Sequence, residues 1–122
     1  MHPRGEPPQR HRGRRLGTRI SVIPAGEKWS DAQLRPCFED LVGAGAILCA
    51  LPGTPSPEAT VAIPAFETAR ANLTELLRES SSSKELRERG FASDVELAAA
   101  LDCSVSVPML RDRAFSESTP QA

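Results

Sequence analysis

Thr18 to Ile23 is β-branched and alternates, with Thr18, Ile20, Val22 and Ile23 giving a strand signature. Pro24 ends it, because proline has no N–H to give a ladder. Ala25 to Trp29 follows as a loop at the strand's C-terminal end, where open α/β sheets bind ligands. Arg35-Pro36 then opens a helix whose buried face is marked by Leu34, Phe38, Leu41, Gly45 and Leu48 at three-to-four spacing. Gly43 and Gly45 are poor helix formers, and their presence mid-helix suggests the close approach of a backbone or a ligand.

After a Leu51–Pro55 loop, Ser56-Pro57-Glu58 starts a helix with a capping hydroxyl, an early proline and an acid at the positive helix end. Its stripe is Ala59, Ala62, Phe66, Ala69, Leu73 and Leu76, and Pro64 should kink or split it between Thr60 and Pro64. Ser82-Ser83-Lys84-Glu85 and Ser93-Asp94-Val95-Glu96 fit capping boxes for two further helices, the first closed by Gly90. Val105, Val107 and Met109 alternate as a strand. Arg111-Asp112-Arg113 turns the chain, Ala114-Phe115 returns, and 116–122 is expected to fray. The expected order is one strand, four helices and one strand. A lone strand at each end cannot make a stable sheet, so the pattern points to part of a larger domain.

The first 17 residues form a tail, expected to be disordered, with no apolar side chain between Met1 and Leu16. Six arginines against Glu6 give Met1–Arg19 a charge of +5, and the remainder carries −6. An acidic body disfavours nucleic acid, which needs phosphate neutralisation by Lys and Arg. The tail lacks the aromatic side chains on which bases stack. Hydrophobic content is 39% and aromatic content 4%, much of the former alanine, so the core is modest. Cys37, Cys49 and Cys103 are odd in number and widely spaced, which argues against a disulfide framework or a closed zinc site and fits reduced thiols in the cytoplasm. No apolar run suits a membrane span or a secretory signal.

The chemistry-bearing residues are few. Both histidines, His2 and His11, lie in the tail, so neither Ser–His–Asp nor Cys–His catalysis is supported. Cys37 and Cys49 read as small buried hydrophobes. Gly43-Ala44-Gly45 lacks the third glycine and the lysine of a phosphate cradle. Glu39-Asp40 is open to two explanations. Adjacent helical side chains point about 100° apart, so one could ligate magnesium while the other supports it, or both could simply favour the helix dipole. Glu27 and Trp29 occupy a loop position suited to function, and Asp94 is explained by its helix end.

The runs Ile23-Pro24-Ala25-Gly26-Glu27-Lys28-Trp29, Leu34-Arg35-Pro36 and Glu39-Asp40-Leu41-Val42-Gly43-Ala44-Gly45-Ala46-Ile47 resemble the 2-phosphosulfolactate phosphatase family. So do Ser56-Pro57-Glu58-Ala59, Lys84-Glu85-Leu86, Arg89-Gly90-Phe91, Asp94-Val95, Leu97-Ala98-Ala99 and Val107-Pro108-Met109-Leu110. The resemblance covers residues 18–115 and corresponds to the C-terminal half of a family domain. It implies an α/β fold, a partial α/β/α sandwich, helix-rich with few strands. It also implies a magnesium-dependent phosphomonoesterase that converts 2-phospho-3-sulfolactate to sulfolactate and phosphate, a step associated with coenzyme M formation. The resemblance marks Glu39 and Asp40 as Mg2+ ligands, and Gly26, Glu27, Gly43 and Gly45 as substrate-lining positions. The expected partners are a small phosphorylated sulfonate and either a second copy or a complementary N-terminal half, with no nucleic acid and no membrane. The alternative is a non-catalytic remnant or binding module of the same fold. Two positions depart from the family pattern: Ser83 stands where glycine is expected, and Arg113 stands where an Asp-Gly turn is natural.

Overall fold

The computed structural model describes residues 19–117, and the tail assigned to residues 1–17 lies outside them. Two short β1 and β2 strands, Glu27–Lys28 and Leu34–Arg35, form an antiparallel pair with Glu27 opposite Arg35. Helices α1 (Phe38–Ala50) and α2 (Pro57–Ala69) follow. A 3-10 turn at Arg70–Asn72 leads into α3 (Leu73–Glu79), α4 (Ser81–Glu88) and α5 (Ala92–Ala99). Strands β3 (Pro108–Arg111) and β4 (Ala114–Glu117) close the described chain as a second antiparallel pair. The fold is mixed α/β, helix-rich and with few strands, as expected. No helix among the described residues is long and apolar enough to cross a membrane.

Val42, Phe66, Ala69, Leu73 and Leu77 form the core, with Phe38, Ala46 and Ala99 packed against it. Helices α1 and α2 make the most extensive contact, while α3, α4 and α5 pack on one another. The α1–α2 seam depends on Gly45. A Cβ at that position would run into the Ala62 carbonyl oxygen and lie 2.9 Å from the Phe66 Cβ. The glycine therefore lets two helix backbones approach, the first of the two causes its sequence position suggested.

Several local signals act as expected. The Ser56 hydroxyl accepts from the Ala59 N–H at 3.3 Å and caps α2. Gly90, at φ +89°, closes α4 with paired bonds from the Gly90 N–H to the Arg87 carbonyl and from the Phe91 N–H to the Leu86 carbonyl, a Schellman arrangement. Asp112 and Arg113, at φ +49° and +65°, make the two-residue turn between β3 and β4.

Other expectations are corrected. Arg19–Gly26 carries no strand, because a strand signature forms a ladder only against a neighbour, and the described residues supply none. The expected Ala25–Trp29 loop holds β1, and the expected first turn of α1 holds β2. Arg35 is extended because proline disfavours the helical region in the residue before it, so α1 begins at Phe38, with Cys37 as its N-cap residue. α2 runs through Pro64, which removes only one helical donor, and the change of geometry comes later, at Arg70–Asn72. The cap of α4 is Ser80, whose Oγ accepts from the Ser83 N–H at 3.3 Å, so the helix starts before the proposed Ser82 box. Helix α5 starts at Ala92, ahead of Ser93, with no side-chain cap. Val105 and Val107 precede β3, and Ser116–Glu117 lies within β4 rather than in a frayed end.

Candidate functional site

The site forms where β1, β2, the start of α1 and α4 meet. The β1–β2 turn is held by the Trp29 N–H bonded to the Gln33 carbonyl at 2.8 Å, by the Ala32 N–H on the Trp29 carbonyl at 2.9 Å, and by the Asp31 carboxylate on the Gln33 N–H at 3.1 Å. Gly26 enters this turn at φ +66°, with the Arg35 carbonyl oxygen only 2.8 Å from where a Cβ would be. Its lack of a side chain is thus used by the chain's own hairpin.

Arg35 is the centre of the arrangement. It is 9% exposed and stacks over Trp29, with its guanidinium carbon 4.7 Å from the ring centroid. Its Nη1 donates to Glu85 on α4 at 3.0 Å, its Nη2 forms an ion pair with the same carboxylate at 2.9 Å, and Glu27 lies 3.4 Å away across the β1–β2 ladder. The hydrogen bond from Arg35 holds the Glu85 carboxyl below its ordinary range, against a smaller opposing effect of desolvation. The same bond to Glu85 raises the Arg35 pKa.

Cys37 follows, buried, with its thiol donating to the Arg35 carbonyl at 3.4 Å. Burial pushes this thiol up, and the negative charges of Glu39, Glu27 and Asp40 push it further, outweighing Arg35. Glu39, in the first turn of α1, accepts a 2.7 Å bond from the Ser82 hydroxyl on α4. One donor atom each from Glu27, Cys37 and Glu39 lies within 4.8 Å of the others.

The structure brings Glu27 and Glu39 together. Asp40 adds its charge to the Cys37 environment, but its carboxylate lies outside that three-residue group. Gly43 faces open space, and Gly45 lies against α2. Sequence reasoning passed over Arg35, Ser82 and Glu85 and took Cys37 only as packing. Arg35 had a local signal, its place before Pro36. Ser82 and Glu85 had none, being 43 and 50 residues from their partners. A shallow groove lined by Arg70, Leu73, Glu75, Arg78, Ala99 and Leu101 shares no residue with the cluster.

The donor set suits a hard dication through oxygen. Two carboxylates converge, and a serine hydroxyl orients one of them. A protonated thiol adds nothing for magnesium, which prefers oxygen ligands. Glu27 and Glu39 are thus the side chains of this cluster that could hold a cation, beside the start of α1.

The 2-phosphosulpholactate phosphatase family matches residues 13–113, and the chain belongs to that family. It is 37% identical over 71 residues to a probable 2-phosphosulfolactate phosphatase of Gloeobacter violaceus, covering 58% of this chain and 30% of the relative. It is 28% identical over 102 residues to a protein of the same description from Pseudothermotoga lettingae, covering 83% of this chain and 43% of the relative. The chain thus spans less than half the length of these curated relatives. No solved structure matches it.

Proposed function

We propose that the chain carries part of the active site of a magnesium-dependent phosphomonoester hydrolase. The substrate is 2-phospho-3-sulfolactate, the products are sulfolactate and phosphate, and the step serves coenzyme M formation. The observation that carries this reading is the convergence of Glu27 and Glu39, within a chain of this family, beside the start of α1.

In this reading the carboxylates of Glu27 and Glu39 hold the ion, and Asp40 adds negative potential behind them. The Ser82 hydroxyl fixes one Glu39 oxygen, and the other has no hydrogen bond among the described residues. Arg35 acts on position: its bonds to Glu27 and Glu85 tie the hairpin to α4 and set where the Glu27 carboxylate lies. Bound magnesium would neutralise phosphoryl charge and orient water and leaving group. The remaining groups come from a complementary N-terminal half or a second copy. The cytoplasm suits Cys37, Cys49 and Cys103, all free thiols.

The test is phosphate release from 2-phospho-3-sulfolactate with and without Mg2+. The chain is assayed alone and mixed with the portion of the Pseudothermotoga lettingae relative that lies outside the alignment. Magnesium-dependent turnover in the mixture supports the reading. Absence of turnover in every combination overturns it, and magnesium binding that persists without turnover would then favour the binding module.

A further inference from the structure

We propose that strand β4 is the docking edge for a second copy of this chain, the two β3–β4 hairpins joining about a two-fold axis at Phe115 into one four-stranded antiparallel sheet. The proposal uses no residue of the magnesium reading and is tested without turnover, so either can fail alone.

The hairpin stands by itself. Its strands pair only with each other among the described residues, and it makes no extensive contact with any helix. Two strands without a neighbour are marginal in water, and further strands are what stabilise them. The register sets Leu110 directly opposite Phe115, on one face. These two side chains are 64% and 75% exposed, a cross-strand apolar pair left open to solvent.

The two edges of the hairpin differ. In a two-residue hairpin the closing pair, here Arg111 and Ala114, exchanges hydrogen bonds, and bonded and unbonded pairs then alternate. Pro108 and Leu110 therefore turn their backbone groups outward from β3, and Phe115 and Glu117 turn theirs outward from β4. Pro108 has no N–H, which spoils the outer edge of β3 as a template. The outer edge of β4 has no proline, no lysine and no bulge, the devices that keep a strand edge from pairing.

Backbone bonding, packing and charge choose the same register. Antiparallel pairing about a two-fold axis must bring outward-facing residues opposite one another. Centred on Phe115, it sets that residue opposite its own copy and brings Glu117 to the second copy's Arg113, at the turn. Leu110, Phe115, the second copy's Phe115 and its Leu110 then form one apolar row across four strands. One Glu117 oxygen accepts from the Ser106 hydroxyl at 2.9 Å, and neither Glu117 nor Arg113 makes an ion pair among the described residues. The symmetry joins these opposite charges twice. Moving the axis to Ser116 would instead set Glu117 against Phe115.

The experiment is sedimentation equilibrium of the full chain from micromolar to millimolar concentration, under reducing conditions so that exposed Cys49 and Cys103 cannot link chains. A reversible monomer–dimer equilibrium is expected, with the dilute chain a monomer. Phe115→Asp should leave a monomer throughout. Glu117→Arg and Arg113→Glu should each weaken the dimer about tenfold, and the two together should restore it. A chain that is monomeric at every concentration overturns the proposal. So does a dimer that survives Phe115→Asp, or a double exchange that dimerises no better than either single one. Should Phe115→Asp lose its fold by circular dichroism, the charge exchange decides.

Discussion

Helix α1 is held at its start and at its middle by opposite physics. Toward its middle, Gly45 lets the α2 backbone close in at Ala62, and Val42 joins Phe66 in the core. At its start, Cys37 and Glu39 join a polar junction in which Arg35 bridges β1, β2 and α4. The apolar seam derives its strength from excluded volume and dispersion, which tolerate little change in shape. The junction derives its strength from directed hydrogen bonds, which tolerate little change in chemistry. A change of side-chain size at the seam and a change of charge at the junction should therefore each damage its own region and largely spare the other.

The largest expected effect is at the seam. Gly45→Leu forces a side chain into the Ala62 carbonyl and should destabilise by about 3 kcal/mol, read as a lower urea midpoint. Even Gly45→Ala should destabilise, since the clash outweighs a helix-propensity gain of about 1 kcal/mol. Unchanged stability in both would remove the close approach from the account.

At the junction, Arg35→Met keeps the apolar stem but leaves Glu27 and Glu85 without their cation. Trp29 fluorescence should then shift toward a solvated indole while far-ultraviolet circular dichroism is largely kept. A spectrum identical to that of the unsubstituted chain would show that Arg35 does not order this hairpin.

The pH dependence separates the regions further. The Glu85 carboxyl is held below its ordinary value of 4.5, so its contribution is fully present above that value and is lost as pH falls through the lower folded pKa. Glu79 and Glu96 are lowered in the same direction by Lys84 and Arg78. Acid titration should thus weaken the chain below about pH 4.5, and Arg35→Met should flatten part of that slope. A slope unchanged by the substitution would assign the acid sensitivity to the other pairs.

The smallest effect is at β3–β4. Arg113 holds φ +65° in a two-residue turn, where glycine is at ease. Arg113→Gly should stabilise by up to about 1 kcal/mol, measurable by hydrogen exchange across β3 and β4.

The same contrast explains what could be foreseen. The α2 stripe from Ala62 to Leu73, the Ser56 cap, the Gly90 closure and the Asp112–Arg113 turn are local, and each follows from a few neighbouring side chains. The expected α1 face, by contrast, is corrected: Leu34 and Leu41 are exposed, and Val42, Ala44 and Gly45 are the residues α1 buries. Arg35–Glu85 and Glu39–Ser82 join residues 50 and 43 positions apart, so no spacing rule reaches them. The supposed strand at Thr18–Ile23 shows the opposite difficulty: its pattern is sound, but a ladder needs a neighbour that propensity cannot supply. Glu39 stood out as a candidate from the sequence, yet its convergence with Glu27 depends on the short β1–β2 pair, which lay hidden in an expected loop and helix start.

The central claim is that Glu27 and Glu39 hold the magnesium of a phosphatase site. The most direct measurement is Mg2+-dependent phosphate release from 2-phospho-3-sulfolactate by the chain combined with its complementary half, compared between the unsubstituted chain and Glu39→Gln. The account predicts turnover that stops on chelation and falls on the order of 100-fold in Glu39→Gln. Turnover unchanged by that substitution would contradict it.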